Sequence, residues 1–356
     1  MKNNLNILVI NPGSTSTKVA LFKGEKNHKS FEFSHDTELF QKYSSILQQL
    51  EYRFELIIKF VKENIDPEEI DAVIGRGGLL KPLRGGVYKI NETMLGDLST
   101  ARHGEHACNL GAILAFKFSK MHKIPAFISD PVTVDELAPE ARITGSALFK
   151  KVSVFHALNQ KSIAKSFSEN IGKSYEKINL IVVHIGGGIS VGVHKKGRVI
   201  DVNNALEEGP FTPERSGSLP TAQLVKLCYS GKYSEKEMSK ILVGKGGLVS
   251  HLGTSDCRII EKRILKGDKK AKLIYKAMGY SIAKYIGAAS TVLNGKLEAI
   301  ILTGGGAKSR LLVHHIKERV KFIAPVKIYA GENELASLAS GALRALEGKE
   351  RILTYK

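Results

Sequence analysis

Residues Asn11 to Lys18 read Asn-Pro-Gly-Ser-Thr-Ser-Thr-Lys and stand between two runs of apolar β-formers. Reversing the chain needs only the Pro-Gly pair. Four consecutive hydroxyl residues followed by a lysine need another reason, and their chemistry suits phosphate. Gly13 lets the backbone fold close to an anion, and successive N–H groups in such a turn make an anion-binding nest. Ser14 and Ser16 offer hydroxyls, and Lys18 offers a point charge for phosphate oxygens. Asn11, closing the strand, is suited to hold a phosphate or a metal-bound water. A hairpin turn without a ligand accounts for Pro-Gly but not for the hydroxyls.

Two glycine turns extend the pattern. Gly186-Gly187-Gly188 follows the apolar run "IVVHI" and has no side chains to block an oxyanion. Gly304-Gly305-Gly306, in "ILTGGGAKSRLL", lies between a strand and a helix starting near Ser309, a usual anion or ribose site. No Gly-Lys-Ser/Thr closes any of them, and Gly-x-Gly-x-x-Gly is absent, so neither a Walker loop nor a Rossmann fingerprint is present. Three such turns describe a nucleotide held between two domains.

The elements that must position them follow from periodicity. Strands are expected at 5–11, 16–22 and 29–34. Leu39, Tyr43, Ile46, Leu50, Phe54, Ile57 and Val61 recur at helical spacing and predict a helix over 37–64. A strand at 72–75 enters the glycine-rich "GRGGLLKPLRGG". Helices near 91–101 and 105–121 and a strand at 125–129 precede "DPVTVDELAPEARITG", which has the content of an active-site loop or linker, and a helix at 155–170 starts the second half. Alternating strands and helices predict an α/β fold. Asn11 and His184 each follow three apolar β residues at an offset of 173, which also relates Lys23-Gly24 to Lys196-Gly197. An offset of nearly half the chain points to a duplicated β-hairpin unit.

At 356 residues, two domains are expected: 1–150 plus 336–356, and 151–335. The 43% hydrophobic and 25% charged content is that of a soluble globular protein. Neither a membrane-length apolar run nor a signal-peptide pattern is seen. Cys108, Cys228 and Cys257 are far apart and unpatterned, which suits a reducing, cytoplasmic setting. The net charge of +18 invites a nucleic-acid partner. It is spread over helix faces without interleaved aromatics, so a cationic surface attractive to anionic metabolites is the reading preferred. His103 and His106 have metal-pair spacing without a third ligand nearby, and a structural or substrate-loop role is expected of them.

The segments "NPGSTSTK", "VFHALNQKSIA", "VHIGGGISVGV", "PERSGSLPT", "LTGGGAKSR" and "GENELASLA" occur in the order of the motifs of the acetate and butyrate kinases. The chain therefore resembles the acetokinase family of the actin/Hsp70/sugar-kinase superfamily, and its butyrate-kinase branch in particular. The resemblance implies a two-domain, duplicated actin-like (ribonuclease H-like) fold with an interdomain cleft. It also implies ATP/ADP and Mg²⁺ as cofactors, a short-chain carboxylate or acyl phosphate as substrate, and a homodimer or higher homo-oligomer.

Carried over by matching motif, Asn11, Ser14, Ser16 and Lys18 form the first phosphate hairpin, with Asn11 also near Mg²⁺. His184 and Gly186 to Gly188 form the second. Asp256, Cys257 and Arg258 in "GTSDCR" match the adenosine-side segment, and Gly304 to Gly306 the turn beneath base and ribose. Arg76 and Arg215 match the two catalytic arginines, Asp130 the catalytic aspartate and His156 the transition-state histidine, with Phe155 beside it near the substrate. Taken without the resemblance, these are commonplace residues: an arginine is usually a surface ion-pair partner, and His156 and His184 could be packed structural histidines.

The family's metal-associated Glu aligns with Asn333, flanked by Glu332 and Glu334, and the choice among the three stays open. Gly77-Gly78 stands where acetate kinases have larger apolar residues. Two missing side chains are expected to leave room for extra methylenes, each worth about 0.8 kcal/mol when buried, and so to favour butyrate or isobutyrate. Acetate, propionate and branched-chain acid kinases are the rivals within the class. An actin- or Hsp70-like ATPase is the rival outside it.

Overall fold

The structure is a computed structural model and describes residues 4–36, 38, 40 and 43–356. Its strands in chain order are β1 (Asn6–Pro12), β2 (Ser16–Lys23), β3 (Lys26–Ser34), β4 (Ala72–Gly75), β5 (Val87–Lys89), β6 (Ala126–Ser129), β7 (Asn179–Ile185), β8 (Ile189–Lys195), β9 (Arg198–Val202), β10 (Ala299–Gly304), β11 (Val326–Ala330) and β12 (Ile352–Thr354). The helices are α1 (Leu50–Asn64), α2 (Glu92–Ser99), α3 (Asn109–His122), α4 (Ala157–Asn170), α5 (Thr221–Cys228), α6 (Glu235–Leu242), α7 (Gly247–Leu252), α8 (Cys257–Leu265), α9 (Lys269–Val292), α10 (Arg310–Val320) and α11 (Glu334–Leu346).

Two compact units divide the chain. One comprises 1–135, 157–162 and 333–356, the other 136–156 and 163–332. The chain thus passes between units at 135/136, 156/157, 162/163 and 332/333, where single breaks at 150 and 335 were expected.

In the first unit the sheet order is β12-β5-β6-β4-β1-β2-β3. β1 is parallel to β4, and β4 to β6, while β1-β2-β3 form antiparallel hairpins. Successive side chains of β1 face opposite sides of the sheet. Leu8 and Ile10 pack with Phe54 and Ile57 of α1 and with Leu110 and Leu114 of α3. Ile7 and Val9 pack with Leu338, Ala339 and Ala342 of α11. A strand covered on both faces reads as a continuous apolar run rather than an alternating one, and such burial contributes about 1.5–3 kcal/mol per large side chain. Small residues let α11 approach closely: a Cβ on Gly341 would lie 2.8 Å from Ser129 Oγ. That helix runs over Glu334–Leu346.

In the second unit the order is β11-β10-β7-β8-β9, with β7, β10 and β11 parallel and β7-β8-β9 antiparallel. Ile181, Val183 and Ile185 face α9 and α10, whereas Leu180 and Val182 face Ala164 and Phe167 of α4. Five strands of each sheet therefore share one order and one set of directions.

The duplicated hairpins also share a defect. Pairing slips at Leu21/Phe22 in the first unit and at Val193/His194 in the second, leaving His28 and Ile200 as the extra residues. A β-bulge repeated at corresponding places is a built feature. Its offset is 172, not 173, which corrects the ungapped alignment. Asn6 and Asn179 open the first strands at 173. Pro12 then pairs with Thr17 but Ile185 with Ile189, so the second turn is one residue shorter. Lys23 consequently corresponds to Lys195, and the two Lys-Gly corners do not superpose.

The 37–64 helix needs correction too. Tyr43 to Ser45 are irregular, Ser45 is extended (φ −145°, ψ 156°), and a 3₁₀ turn at Ile46–Gln49 leads into α1. Ser44 donates its N–H to Gln48 Oε1 at 2.9 Å, a local bond that competes with continued helix. Thr37, Leu39, Gln41 and Lys42 lie outside the described residues. The next two helices are likewise shorter, Asn91 capping α2 through Met94 N and α3 starting at Asn109.

Candidate functional site

The first unit collects three predicted residues at the carboxyl ends of adjacent parallel strands, the usual ligand edge of an α/β sheet. Asn11 is the penultimate residue of β1, Arg76 follows β4, and Asp130 follows β6. Glu334, in the first turn of α11, joins two of them. Its Oε2 accepts from Asn11 Nδ2 at 2.7 Å, and its Oε1 lies 2.6 Å from Arg76 Nη1. That Nη1 is buried and has no aligned hydrogen-bond acceptor, so the ion pair leaves a guanidinium N–H unspent. Of the three residues left open for the metal, Asn333 caps α11 through Ala336 N at 3.0 Å. Glu332 belongs to the second unit, 3.7 Å from His184 Nε2, and Glu334 is the one beside Asn11.

Asp130 is buried with φ +39°, a conformation that costs a non-glycine residue energy and collects at functional positions. Its Oδ1 accepts from Gly86 N at 2.7 Å. In the hairpin turn, Gly13 N donates to Ser16 O at 2.8 Å, and Ser14 and Thr15 are exposed. Ser16 Oγ donates to Glu32 Oε1 at 2.8 Å. Lys18 Nζ lies 3.8 Å from the same oxygen. Glu32, unnoticed in the sequence, thus engages both cationic and hydroxyl members of the first turn.

Gly77 and Gly78 do not open the space expected of them. A Cβ on Gly77 would sit 2.6 Å from Pro131 Cβ and 3.3 Å from Ile128 Cδ1. On Gly78 it would sit 2.6 Å from Asn109 Cα and 2.7 Å from Leu98 Cδ2. Both glycines are buried and serve close packing of the Arg76 loop against α2, α3 and the loop after β6. Asn109 fixes that loop further, accepting from Leu79 N at 2.8 Å and donating to Gly104 O at 2.9 Å. His103 and His106 part company: His103 lies 3.4 Å from Asp97, while His106 Nδ1 contacts Cys108 Sγ at 3.0 Å. Burial first, and then the Arg76 charge, lowers the His106 pKa. Burial pushes the Cys108 thiol up to about 11.

The second unit gathers another set. The rings of His156 and His184 stack at 3.8 Å with planes 13° apart. His156 Nδ1 lies 2.9 Å from Ser190 Oγ on the returning strand. Phe155 is buried. At the turn, Gly186 N donates to Gly188 O at 3.0 Å. Thr212 Oγ1 donates to Gly187 O at 2.6 Å and accepts from Arg215 N at 2.9 Å. Arg215 crosses the turn so closely that a Cβ on Gly188 would lie 2.6 Å from its Nη1. That Nη1 donates to Ala205 O at 2.7 Å, and the buried Nε has no partner. Nothing in the spacing of "FTPERSG" marked Thr212 as the brace of the glycine turn.

The third turn abuts the second. Gly304 (φ +84°) ends β10, and a Cβ there would lie 2.5 Å from Ile185 O. One on Gly306 would lie 2.4 Å from Ile185 Cγ2, whereas Gly305 faces open space. Ser309 caps α10 through Leu312 N at 3.0 Å, as the helix start near that residue predicted. Asp256 caps α8 and holds Arg258 through Nε at 3.0 Å and Nη2 at 2.7 Å. Those bonds lower its pKa to about 2. Cys257 is half-buried beside them. Its thiol is raised, chiefly by burial.

Among the described residues no group of three or more His, Cys, Asp or Glu could hold a metal ion, and no helix is long and apolar enough to cross a membrane. An ion such as Mg²⁺ needs no such cage, since it takes one or two protein oxygens and keeps substrate phosphates and waters. The Asn11 carboxamide and Glu334 carboxylate fit that demand.

Residues 149–342 match the model of the Acetokinase family. Among solved structures, the chain is similar to the acetate kinase of Porphyromonas gingivalis, at 19% identity and a TM-score of 0.79 over 96% of this chain and 100% of that one. It is similar to a propionate kinase of Francisella tularensis subsp. tularensis, at 20% identity and a TM-score of 0.68 over 95% and 98%. A ROK family protein of Streptococcus pneumoniae, solved with sucrose, follows at 12% and 0.54 over 97% and 100%. At such identities these likenesses establish the fold, the two-sheet α/β fold of acetate kinases and of ROK proteins, as the duplicated actin-like design requires.

Proposed function

Because the chain belongs to the acetokinase family, we propose that it moves the terminal phosphoryl group of ATP onto a short-chain carboxylate, butyrate or isobutyrate before acetate, reversibly and in line. A fatty acid with a pKa of roughly 4–5 is already ionised at neutral pH, so no base is needed to make the nucleophile. The obstacle is the approach of an anion to a polyanion, and positive charge with alignment overcomes it.

The observation that supports this reading is that Arg76 Nη1 and Arg215 Nε, each a buried atom of a half-buried arginine, have no aligned hydrogen-bond acceptor. A buried N–H without an acceptor costs about 1–3 kcal/mol, and anionic oxygens are the ligands that repay it. One arginine holds the carboxylate by both oxygens, and the other faces the equatorial oxygens of the moving phosphoryl group. The first turn, with Ser14, Ser16 and Lys18, and the second, with Gly186 to Gly188, take phosphate oxygens. Asp256 to Arg258 and Gly304 to Gly306 take the nucleoside end. Asn11 and Glu334 are the groups to hold Mg²⁺ or its water. When bound, that ion neutralises phosphate charge. Asp130 orients polar groups at the strand ends, and the His156 imidazole, steadied by Ser190 and stacked on His184, donates a hydrogen bond to the phosphoryl oxygens. A cytoplasmic homo-oligomer completes the proposal.

Preference for butyrate rests on the resemblance of the motif set to the butyrate-kinase branch. The packed surroundings of Gly77 and Gly78 lend it nothing and favour acetate or propionate equally. A hydroxamate trap with ATP and acetate, propionate, butyrate and isobutyrate decides. Acyl hydroxamate with the highest kcat/KM for butyrate or isobutyrate is expected. A ratio favouring acetate overturns the chain-length preference, and ATP hydrolysis without any acyl hydroxamate restores the actin- or Hsp70-like ATPase.

A further inference from the structure

Arg53 is the largest fully buried side chain of the described residues. It rises from α1, where an arginine would ordinarily face water. No carboxylate pairs with it among the described residues. Instead, each hydrogen bond it makes among the described residues is to a neutral acceptor, most of them on the β1–β2 turn and the start of β2. Nη2 donates to Gly13 O at 3.0 Å, and Nη1 to Ser16 O at 3.1 Å and to Thr17 Oγ1 at 2.7 Å. Gln49 Oε1, one helical turn back, accepts from Nε at 3.2 Å and from Nη2 at 2.9 Å, fixing the fork.

The relay continues. Thr17 Oγ1 accepts from Arg53 and also lies within hydrogen-bond distance of His35 Nε2, at 2.7 Å. Phe40 stacks on His35 at 4.5 Å and lies 4.9 Å from the Arg53 Cζ. Burial first, and then the Arg53 charge, lowers the His35 pKa.

We propose that Arg53 is a positioning residue for phosphate: from beneath, it holds the Gly13 and Ser16 carbonyls inward, which aims the opposite side of the turn at the nucleotide. In a trans peptide the N–H points away from the preceding C=O. With Gly13 O tied to Arg53, the Ser14 N–H is turned to the exposed side, alongside the Ser14 and Thr15 side chains. The unpaired guanidinium also places a fixed positive charge behind the turn, and charge in a low-dielectric setting acts on a nearby anion more strongly than in water.

This inference rests on the reading of the turn as a phosphate site. It is tested on the full chain by measuring ATP affinity calorimetrically, KM for ATP and for the acid, and melting temperature, in the wild type, Arg53→Met, Arg53→Lys and Gln49→Met. Arg53→Met is expected to weaken ATP binding tenfold or more and to raise KM for ATP alike, while KM for the acid changes less than twofold. Arg53→Lys recovers part of the loss, because a point charge replaces the charge but not the fork. Should Arg53→Met not fold, Gln49→Met carries the same readout with a loss of about threefold. A folded variant with wild-type ATP affinity overturns the inference, as does an equal rise in both KM values. A wild type that binds no ATP overturns the phosphate reading of the turn itself, an outcome recognisable without any variant.

Discussion

The Asn11–Lys18 turn and the His184–Ile189 turn stand on corresponding hairpins, β1–β2 and β7–β8, yet they are held differently. The first carries its own chemistry, four hydroxyls and a lysine, and is gripped from behind through its backbone carbonyls by Arg53. The second carries no side chains on its three glycines. Its chemistry comes from neighbours: Thr212 on the Gly187 carbonyl, Glu214 beside Gly187, and Arg215 laid across Gly188. The first turn can be restrained from beneath because its Ser14 and Thr15 side chains are exposed. A bare turn must leave room above itself, because what works there arrives from elsewhere.

The sharpest way to break the comparison is to remove the borrowed or neighbouring charge. Arg76→Ala and Arg215→Ala should each lower kcat by about a thousandfold, the scale of an arginine that meets a transferring phosphoryl group, with circular dichroism and melting unchanged. Turnover near wild type in either variant removes the mechanism.

A second test puts one methyl group on each turn. Gly188→Ala places a Cβ 2.6 Å from Arg215 Nη1 and should displace the guanidinium, lowering kcat by roughly tenfold to a hundredfold. Ser14→Ala removes one hydroxyl from a turn that keeps its frame, and should weaken ATP binding by about tenfold or less with kcat largely spared. Equal effects on kcat would erase the distinction between borrowed and carried chemistry.

The glycines after Arg76 extend the rule that close approach, not vacancy, is what a glycine provides. Gly78→Val should lower stability by about 1–3 kcal/mol through overpacking against Asn109 and Leu98. It should depress kcat/KM for acetate and butyrate alike. A selective loss of butyrate would reinstate an acyl pocket at this place.

The smallest effect concerns the brace of the first turn. In the fold His35 has its pKa lowered from 6.5 to about 4, by burial foremost and by Arg53 next. Between those values the unfolded chain binds a proton that the folded chain does not. Stability should therefore fall as pH drops from about 6.5 to 4, with the loss complete below 4. Melting temperatures of His35→Gln should show a shallower decline over that window, and an identical decline would show that His35 is not the group responsible.

Much of the architecture was legible because strand and turn are local matters. β4 and β6 fall where apolar runs put them, and all three turns lie where Pro-Gly or triple glycine interrupts a run. Asn11 could be singled out from its own turn, whereas Arg76 and Asp130 were marked only by the family resemblance, and the structure sets all three at the carboxyl ends of adjacent strands. The 37–64 periodicity misled in part, because apolar spacing continues past Ser44 and Ser45 even though those residues are irregular and bonded locally. The one-residue difference between the hairpins was invisible too, since glycine and hydroxyl residues align without a gap.

The sequence by itself determined the strand–turn–strand units, their repetition and the order of motifs that places the chain in its family, because each depends on residues within a few positions of one another. Tertiary structure decided what those units touch. It made Glu334, rather than Asn333, the partner of Asn11, turned Gly77 and Gly78 into packing contacts, and brought Arg53 beneath a turn some forty residues away. Contacts between distant segments depend on how strands, helices and loops stack in three dimensions, and no spacing along the chain encodes them.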